Sequence, residues 1–148
     1  MKKNIIVFSL IFFLSSCGFT PIYQKNTKVN FSIEQVSYTG DRELNNFLKI
    51  NISKYKDKKT DNKINIEANS TYQKIILSKD SAGEITSYQL EAEVIFLIKP
   101  LNKKIKITEK HIMNSMSDKI EEARYERTIK QNFASSISNK LSSELIIN

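Results

Sequence analysis

The sequence has few of the residues on which disulfides, metal sites and phosphate-binding loops depend. Its 148 residues include one cysteine, one histidine, three glycines, two prolines and no tryptophan. A single cysteine excludes an intramolecular disulfide, and with one histidine it leaves no usual ligand set for zinc. The scarcity of glycine and proline argues against a glycine-rich phosphate loop and a long flexible linker. One small domain held by its hydrophobic core is therefore predicted.

The charge of the chain is positive and comes mainly from lysine. Lysine and arginine number 23 against 16 acidic residues, which gives a formal charge of +7. The hydrophobic fraction of 40% and the charged fraction of 26% are ordinary for a globular domain. A basic chain could bind nucleic acid, but no aromatic-basic motif is present and the N-terminus predicts export from the cytoplasm. We therefore expect no nucleic-acid partner.

The first residues have the three parts of a secretory signal peptide. Lys2 and Lys3 give a positive start, Ile5 to Leu14 form an apolar stretch, and small residues precede Cys17. About ten apolar residues are half of the ~20 that a helix needs to cross ~30 Å of hydrocarbon. The predicted parts are the removable signal, a lipidated N-terminal segment and the folded domain, at residues 1–16, 17–27 and 28–148.

The end of the signal, Leu14-Ser15-Ser16-Cys17, resembles the lipobox of bacterial lipoproteins. In proteins with that motif the cysteine thiol receives diacylglycerol, the signal is cut before the cysteine, and the new amino group is acylated. The resemblance implies S-diacylglycerol and N-acyl lipid on Cys17, and no other cofactor or metal is expected. Several acyl chains anchor a protein stably, because each buried CH₂ contributes ~0.8 kcal/mol. The alternative is a plain signal peptide or membrane anchor with an incidental cysteine.

The residue after the lipobox cysteine bears on which membrane holds the protein. Many bacteria with two membranes retain a lipoprotein at the inner membrane when aspartate follows the cysteine, and here Gly18 follows it. We therefore expect an anchor in the outer membrane, with the domain on the periplasmic side. The next residues, Phe19 to Tyr23, are apolar and aromatic. They either pack on the domain, lie at the membrane interface or contact a partner.

Hydrophobic periodicity predicts one strand and one helix in the first part of the domain. Apolar residues alternate from Val29 to Tyr38, and their phase slips near Gln35, which indicates a bulge. Asp41 is placed to cap a helix from Arg42 to about Tyr55, where apolar residues recur with helical spacing.

Three strands and a second helix are predicted in the rest of the chain. The second strand runs from Lys63 to Leu77, a third from Thr86 to Ile98, and a fourth begins near Ile105. Ile95 and Leu97 make the second face of the third strand apolar at its end, so that end is expected to be covered or to touch a partner.

The last helix is predicted from the capping-box spacing of Asp118 and Glu121 to about Ile147. Its apolar residues recur every four positions, so the stripe drifts by about 40° per step. The predicted fold is a single α+β domain, β-α-β-β-β-α, with a four-stranded mixed sheet and two helices packed on one face.

The opening Cys17-Gly18-Phe19-Thr20-Pro21-Ile22-Tyr23 and a β-α-β-β-β-α domain together resemble the LptE family of lipopolysaccharide-assembly lipoproteins. The likeness is to its alphaproteobacterial branch, where a Cys-Gly-Phe-x-Pro-Leu-Tyr opening is typical; Ile22 in place of leucine is a departure. The segments Thr86–Ile98 and Ala123–Arg127 are also similar. The resemblance implies a non-enzymatic protein that plugs an LptD-type outer-membrane β-barrel and assists lipopolysaccharide insertion into the outer leaflet. The alternative is a periplasm-facing lipoprotein adaptor or carrier for another envelope ligand.

A protein that meets lipid A requires cations that face its phosphates. The chain gathers lysines around the turn between the third and fourth strands, at Lys99, Lys103, Lys104, Lys106 and Lys110. Strand alternation places Lys104, Lys106 and Lys110 on one face, where their ammonium groups could address one phosphorylated head group. The alternative is a solvated polar face in a lysine-rich protein.

Catalytic groups are not convincingly placed in the sequence. His111 has no nucleophile or base predicted beside it. Glu91 and Glu93 share a strand face, as paired catalytic acids would, but an exposed polar face explains them as well. We therefore expect that the protein is not an enzyme.

Overall fold

Four strands and two helices follow one another in the order β-α-β-β-β-α in the computed structural model, which describes residues 30–56 and 58–146. The predicted signal peptide and the opening Cys17 to Tyr23 lie outside the described residues. The elements are β1 Ser32–Gly40, α1 Arg42–Ser53, β2 Lys63–Lys79, β3 Ile85–Lys99, β4 Lys103–Asn114 and α2 Lys119–Ile146. The α+β class and the element order predicted from periodicity are confirmed.

The sheet has the strand order β1-β2-β3-β4 and is mixed. β1 pairs with β2 in parallel across the α1 connection, and the two later pairings are antiparallel. The predicted bulge in β1 is present, because Ile33 pairs with Ile64 and Gln35 pairs with Asn65, which leaves Glu34 without an opposite residue. The β2–β3 loop is shorter than predicted, since both strands extend toward the turn at Asp80.

β1 ends sharply at Gly40, where the chain leaves the sheet to begin α1. Gly40 has a φ of 93°, and a Cβ atom there would lie 1.8 Å from the carbonyl oxygen of Ser70. The same oxygen accepts a hydrogen bond of 3.1 Å from the backbone N–H of Asp41. The Asp41 carboxylate accepts one from the backbone N–H of Leu44 at 2.7 Å, which confirms the predicted cap. β2 therefore continues past Ser70 without β1 beside it.

Both helices pack on one face of the sheet and form a single core with it. Alternate residues of β3 from Leu90 to Ile98 are fully buried, as the pattern of that strand predicts. Each large aliphatic or aromatic side chain buried in this way contributes about 1.5–3 kcal/mol relative to an exposed one. The helices contribute Leu44, Leu48, Ile52, Ile129, Phe133, Ile137 and Leu141.

The long helix α2 buries a stripe that drifts across its surface. The middle residues of the predicted stripe are buried, whereas Tyr125 near the start is 42% exposed and Leu145 near the end is only partly buried. The drift brings polar residues into contact with the sheet and α1, among them Glu122, Lys130 and Ser138. Within residues 30–56 and 58–146, no helix combines the length and the apolarity that a membrane crossing needs.

A cluster of charges around the buried Glu122 joins the first turns of α2 to β2. Glu122 is 5% exposed, and its carboxylate accepts hydrogen bonds from the backbone N–H of Met116 at 2.9 Å and from Lys119 at 3.0 Å. Lys74 of β2 donates to Glu122 at 3.0 Å and to Glu126 at 2.9 Å. The Tyr72 hydroxyl also donates to Glu126, at 2.9 Å. A buried carboxylate with this many donors is stabilised in its charged form.

The pKa values of this cluster shift in the directions that such contacts require. The hydrogen bond from the Met116 N–H, together with those from Lys74 and Lys119, lowers the pKa of Glu122 to about 2 against the opposing effect of burial. Burial and the bond to Glu126 raise the pKa of Tyr72. Although burial opposes its charged form, Lys74 has a raised pKa because it donates to Glu126 and Glu122.

We expect Glu122→Gln to lower the free energy of unfolding at pH 7 by about 2 kcal/mol, because it leaves the donors around a buried carboxylate with a weaker acceptor. The folded-state pKa lies below the ordinary value of 4.5, so the carboxylate stabilises the fold above pH 4.5. This stabilisation is lost as the pH falls from 4.5 toward 2. Urea unfolding of both proteins across this range measures the difference.

Glu121→Gln is the matched control, since Glu121 is the exposed neighbour in the same helical turn. This variant is expected to change stability by no more than a few tenths of a kcal/mol, the scale of a helix-end charge. A stability difference between wild type and Glu122→Gln that stays constant from pH 7 to pH 2.5 would contradict the assigned pKa.

Candidate functional site: the uncovered face of the sheet

The face of the sheet opposite the helices has no helix packed on it within the described residues. We call it the open face; it consists of the residues that alternate with the buried core residues of each strand. It is polar over most of its extent and rich in amide and hydroxyl side chains. Its members include Gln35, Ser37 and Thr39 of β1, Asn65, Glu67, Asn69, Thr71 and Gln73 of β2, Gln89, Glu91, Glu93, Ile95, Leu97 and Lys99 of β3, and Lys104, Lys106, Thr108, Lys110 and Ile112 of β4.

Four of the five lysines singled out in the sequence lie on this face. Lys104, Lys106 and Lys110 share it, as the alternation predicts, and Lys99 lies at one end of it. Lys103 does not join them, because it pairs with Ile98 on the side that faces the helices. Its ammonium donates to the backbone oxygen of Glu144 at 3.2 Å and lies 3.6 Å from the carboxylate of that residue.

Three of the four lysines on the open face already have acidic partners. Lys106 lies 2.8 Å from Glu93 and Lys110 lies 3.0 Å from Glu91, and Lys99 pairs with Glu67. Glu91 and Glu93 thus form ion pairs with lysines of β4. Exposed pairs of this kind are worth about 0–1 kcal/mol, so an anion with several negative charges can compete for the lysines.

Lys104 differs from these three, since none of the described acidic side chains forms an ion pair with it. It pairs across the strands with Leu97, which pairs in turn with Glu67. An anionic group that approached the open face would meet the least internal competition at Lys104. This lysine is therefore the centre of the candidate anion site, and Lys99 and Lys106 are its neighbours on the same face.

An apolar spot lies beside the lysines on the open face. Ile95 and Leu97 are partly buried between the polar side chains of β2 and the lysines of β4. They line a depression of ≈ 380 Å³ together with Ser37, Thr39 and Asn69. Apolar contact, hydroxyl and amide groups and nearby cations suit the binding of an amphipathic or polar ligand. The contact that the sequence predicts for Ile95 and Leu97 has no counterpart within the described residues and stays a prediction.

A larger depression that the sequence reading missed lies between β4 and the second half of α2. Its volume is ≈ 550 Å³, and Ser136, Asn139 and Ser143 of α2 line one side. Two of its lining residues contact Glu109 of β4: Lys140 lies 2.7 Å from the Glu109 carboxylate, and the Ser136 hydroxyl donates a hydrogen bond to it at 2.6 Å. The sequence feature that could have indicated this depression is a polar stripe of serine and asparagine at helical spacing.

His111 lies on the side of β4 that faces the helices. Its ring meets that of Tyr125 edge to face, with the ring centroids 6.3 Å apart. Within residues 30–56 and 58–146, no group of three histidine, cysteine or acidic side chains is close enough together to hold a metal ion. The described side chains on both faces of the sheet interact through packing contacts, ion pairs and hydrogen bonds.

Neither the family models nor the curated proteins yield a match to the chain. Solved structures are similar to it in fold. Rare lipoprotein B from Shewanella oneidensis matches with a TM-score of 0.55 and 13% identity, over 74% of this chain and 92% of that one. Lipoprotein B from Nitrosomonas europaea matches with a TM-score of 0.54 and 18% identity, over 77% and 83%.

A minor lipoprotein from Acinetobacter baumannii is similar as well, with a TM-score of 0.51 and 14% identity over 74% of this chain and 93% of that one. Each of these proteins is matched over most of its length. At such low identities the similarity reports the architecture alone. The domain therefore has the fold of these bacterial lipoproteins.

Proposed function

We propose that this protein is an outer-membrane lipoprotein of lipopolysaccharide assembly. In this role the domain plugs an LptD-type β-barrel from the periplasmic side and assists insertion of lipopolysaccharide into the outer leaflet. It acts through binding and carries out no catalysis. Lipid on Cys17 holds it at the membrane.

One coincidence carries the proposal: a lipobox and an opening that resembles the LptE family precede a domain with the fold of rare lipoprotein B. The rare lipoprotein B structure from Shewanella oneidensis is similar to this chain in fold. The opening Cys17-Gly18-Phe19-Thr20-Pro21-Ile22-Tyr23 precedes β1 in the sequence, so it and the fold of the domain are separate observations. Lipid on Cys17 would keep the domain within reach of its barrel.

The open face supports a role in contact with a charged lipid. Lipid A combines phosphate groups, sugar hydroxyls and acyl chains. The open face combines lysines, amide and hydroxyl groups and the apolar Ile95 and Leu97. Lys104, with Lys106 and Lys110 beside it on β4, is proposed to contact a phosphate as a set of point charges. Lys103 is left out of this set because it faces α2.

Cys17→Ser is expected to abolish lipid attachment, since the hydroxyl does not replace the thiolate nucleophile in diacylglyceryl transfer. Labelled palmitate should enter the wild-type protein and not the variant. Wild-type protein should fractionate with outer membranes. Ser16→Ala, which keeps a small residue in the lipobox, is the control and should be labelled normally. Label in Cys17→Ser, or wild-type protein confined to inner membranes, would contradict the proposed anchor.

Affinity purification of the lipidated wild-type chain from outer membranes is expected to recover a large β-barrel protein in about equimolar amount. The reason is that a plug buries a large surface within its barrel and dissociates slowly. Mass spectrometry of the purified complex identifies the partner. Recovery of a stable complex without any barrel would refute the plug and favour the periplasmic adaptor.

Replacement of Lys104, Lys106 and Lys110 by glutamine is expected to weaken lipopolysaccharide binding by the purified protein about tenfold. Each exposed charge contributes about 0.5 kcal/mol, and three together give about one order of magnitude. Fluorescence titration with lipopolysaccharide of defined phosphorylation measures the affinity.

The control variant replaces Lys56, Lys58 and Lys59 by glutamine. These lysines follow α1 and lie away from the open face, so the variant loses the same charge at another place. It should retain at least half of the wild-type affinity. Equal loss in both variants would indicate a non-specific charge effect, and unchanged affinity in the first would rule out the assigned lysines.

A further inference from the structure

The free edge of the β2–β3 hairpin is an exposed strand edge without the usual protection. β1 accompanies β2 only as far as Ser70, where Gly40 turns the chain away. β2 continues to Lys79, and its other edge is paired with β3. Among the described residues no strand pairs with the outer edge from Thr71 onward. Regular pairing with β3 continues to Ile76 and a bulge follows at Leu77, so the regular free edge is about 20 Å long.

The backbone of this edge needs hydrogen-bond partners that an extended chain would supply. In a strand, alternate residues direct their N–H and C=O groups to each side, so about three residues between Thr71 and Ile76 present theirs outward. Water can satisfy these groups, but a row of them at strand spacing is a template for one more strand. The hairpin is already rigid, because Lys74 and Tyr72 are tied to α2 and Asp80 closes the turn.

The side chains of this edge are apolar where a protected edge would be charged. Ile75, Ile76 and Leu77 follow one another and are 41%, 49% and 49% exposed. The charge nearest to them on the same edge is Lys74, whose ammonium lies within 3.0 Å of Glu122 and Glu126. It also lies 4.2 Å from the centroid of the Tyr88 ring. Exposed lysines on an edge strand usually prevent another strand from pairing with it. Lys74 does not do so here, because its ammonium is held toward α2.

The two outermost strands of the sheet provide the contrast. β4 carries Lys104, Lys106 and Lys110, a charge density that typically blocks edge pairing. β1 is bulged at Glu34, and Ile33 already bridges to Lys56 on the outer side. Of the three strand edges within residues 30–56 and 58–146, the hairpin edge alone combines a run of exposed apolar side chains, Ile75 to Leu77, with a backbone that is regular up to Ile76.

We propose that the β2 edge from Thr71 to Leu77 is a docking site for an extended, uncharged segment of a partner polypeptide, which adds to the sheet as a fifth strand. The uncharged partner follows from the edge itself, where Lys74 is neutralised by Glu122 and Glu126. Backbone hydrogen bonds give the affinity, and contacts with Ile75 and Leu77 give a preference for apolar side chains. This site is separate from the lysines of the open face and goes beyond the proposed function.

The test uses hydrogen exchange of the full mature chain in detergent micelles, with a synthetic probe peptide. The probe is an acetylated and amidated octapeptide of alternating threonine and valine. At millimolar concentration it is expected to slow exchange in residues 71–78 at least about threefold, because outward N–H groups become hydrogen-bonded. The same peptide N-methylated at every second residue lacks the donors for pairing and is expected to have no effect.

Ile75→Lys with Leu77→Lys is expected to abolish this slowing, since two added charges protect the edge. Ile50→Lys with Leu101→Lys makes the same exchange at exposed residues elsewhere and is expected to retain it. Slowing at β4 as strong as at residues 71–78, equal slowing by the N-methylated peptide, or none at all would overturn the proposal. So would protection of residues 71–78 through self-association of the chain, or by phosphatidylcholine vesicles without peptide, since these would assign the edge to a second copy or a lipid surface.

Discussion

Burial of only one face of the sheet is the constraint on which the rest of this structure depends. With four strands and two helices, the chain can cover one side, and alternate residues of β3 from Leu90 to Ile98 point to it. The opposite side must then remain compatible with water or with a partner. That requirement explains its amide and hydroxyl groups and its cross-strand ion pairs. The partly buried Ile95 and Leu97 and the exposed Ile112 are exceptions to its polar character.

The early end of β1 has consequences beyond the sheet itself. Because Gly40 turns the chain into α1, the outer part of β2 has no strand on that edge and contacts the first turns of α2 through the side chains of Tyr72 and Lys74. The contact there is electrostatic, with Glu122 buried against Lys74 and the Met116 N–H. Such a contact fixes one position of the helix more strictly than apolar packing does, since its donors and acceptors must match. The turn at Gly40 also leaves the edge of the β2–β3 hairpin exposed.

The pairing of charges changes how the basic composition should be understood. Four lysines lie on the open face, yet three of them are neutralised by acidic residues of β2 and β3. The surface is therefore less cationic than its lysine content suggests. A phosphorylated ligand would gain most at Lys104 and would have to exchange partners elsewhere. Recognition then depends on geometry as well as on net charge.

The parts of the fold that could be read from the sequence are those set by local patterns. Alternation identified the buried face of β3, the phase slip near Gln35 identified the bulge, and Asp41 identified the start of α1. Each of these follows from the spacing of side chains along one element. The helix and strand ends differed by a few residues, because end positions depend on tertiary contacts. The hairpin turn is a local exception, because the Asp80 carboxylate accepts hydrogen bonds from the backbone N–H groups of Ala82 and Glu84.

By itself the sequence determined the order of the elements, the face that each one buries and the shared face of Lys104, Lys106 and Lys110. Those features depend on periodicity within single strands and helices, which the chain specifies locally. Tertiary structure alone decided that Lys103 faces α2 and that Glu122 is buried. It also decided that β2 extends beyond the end of β1, which leaves the outer edge of β2 unpaired. These features depend on the register of the strands and on the position at which a helix packs on the sheet. Both arise from contacts between residues far apart in the chain, which no local pattern records.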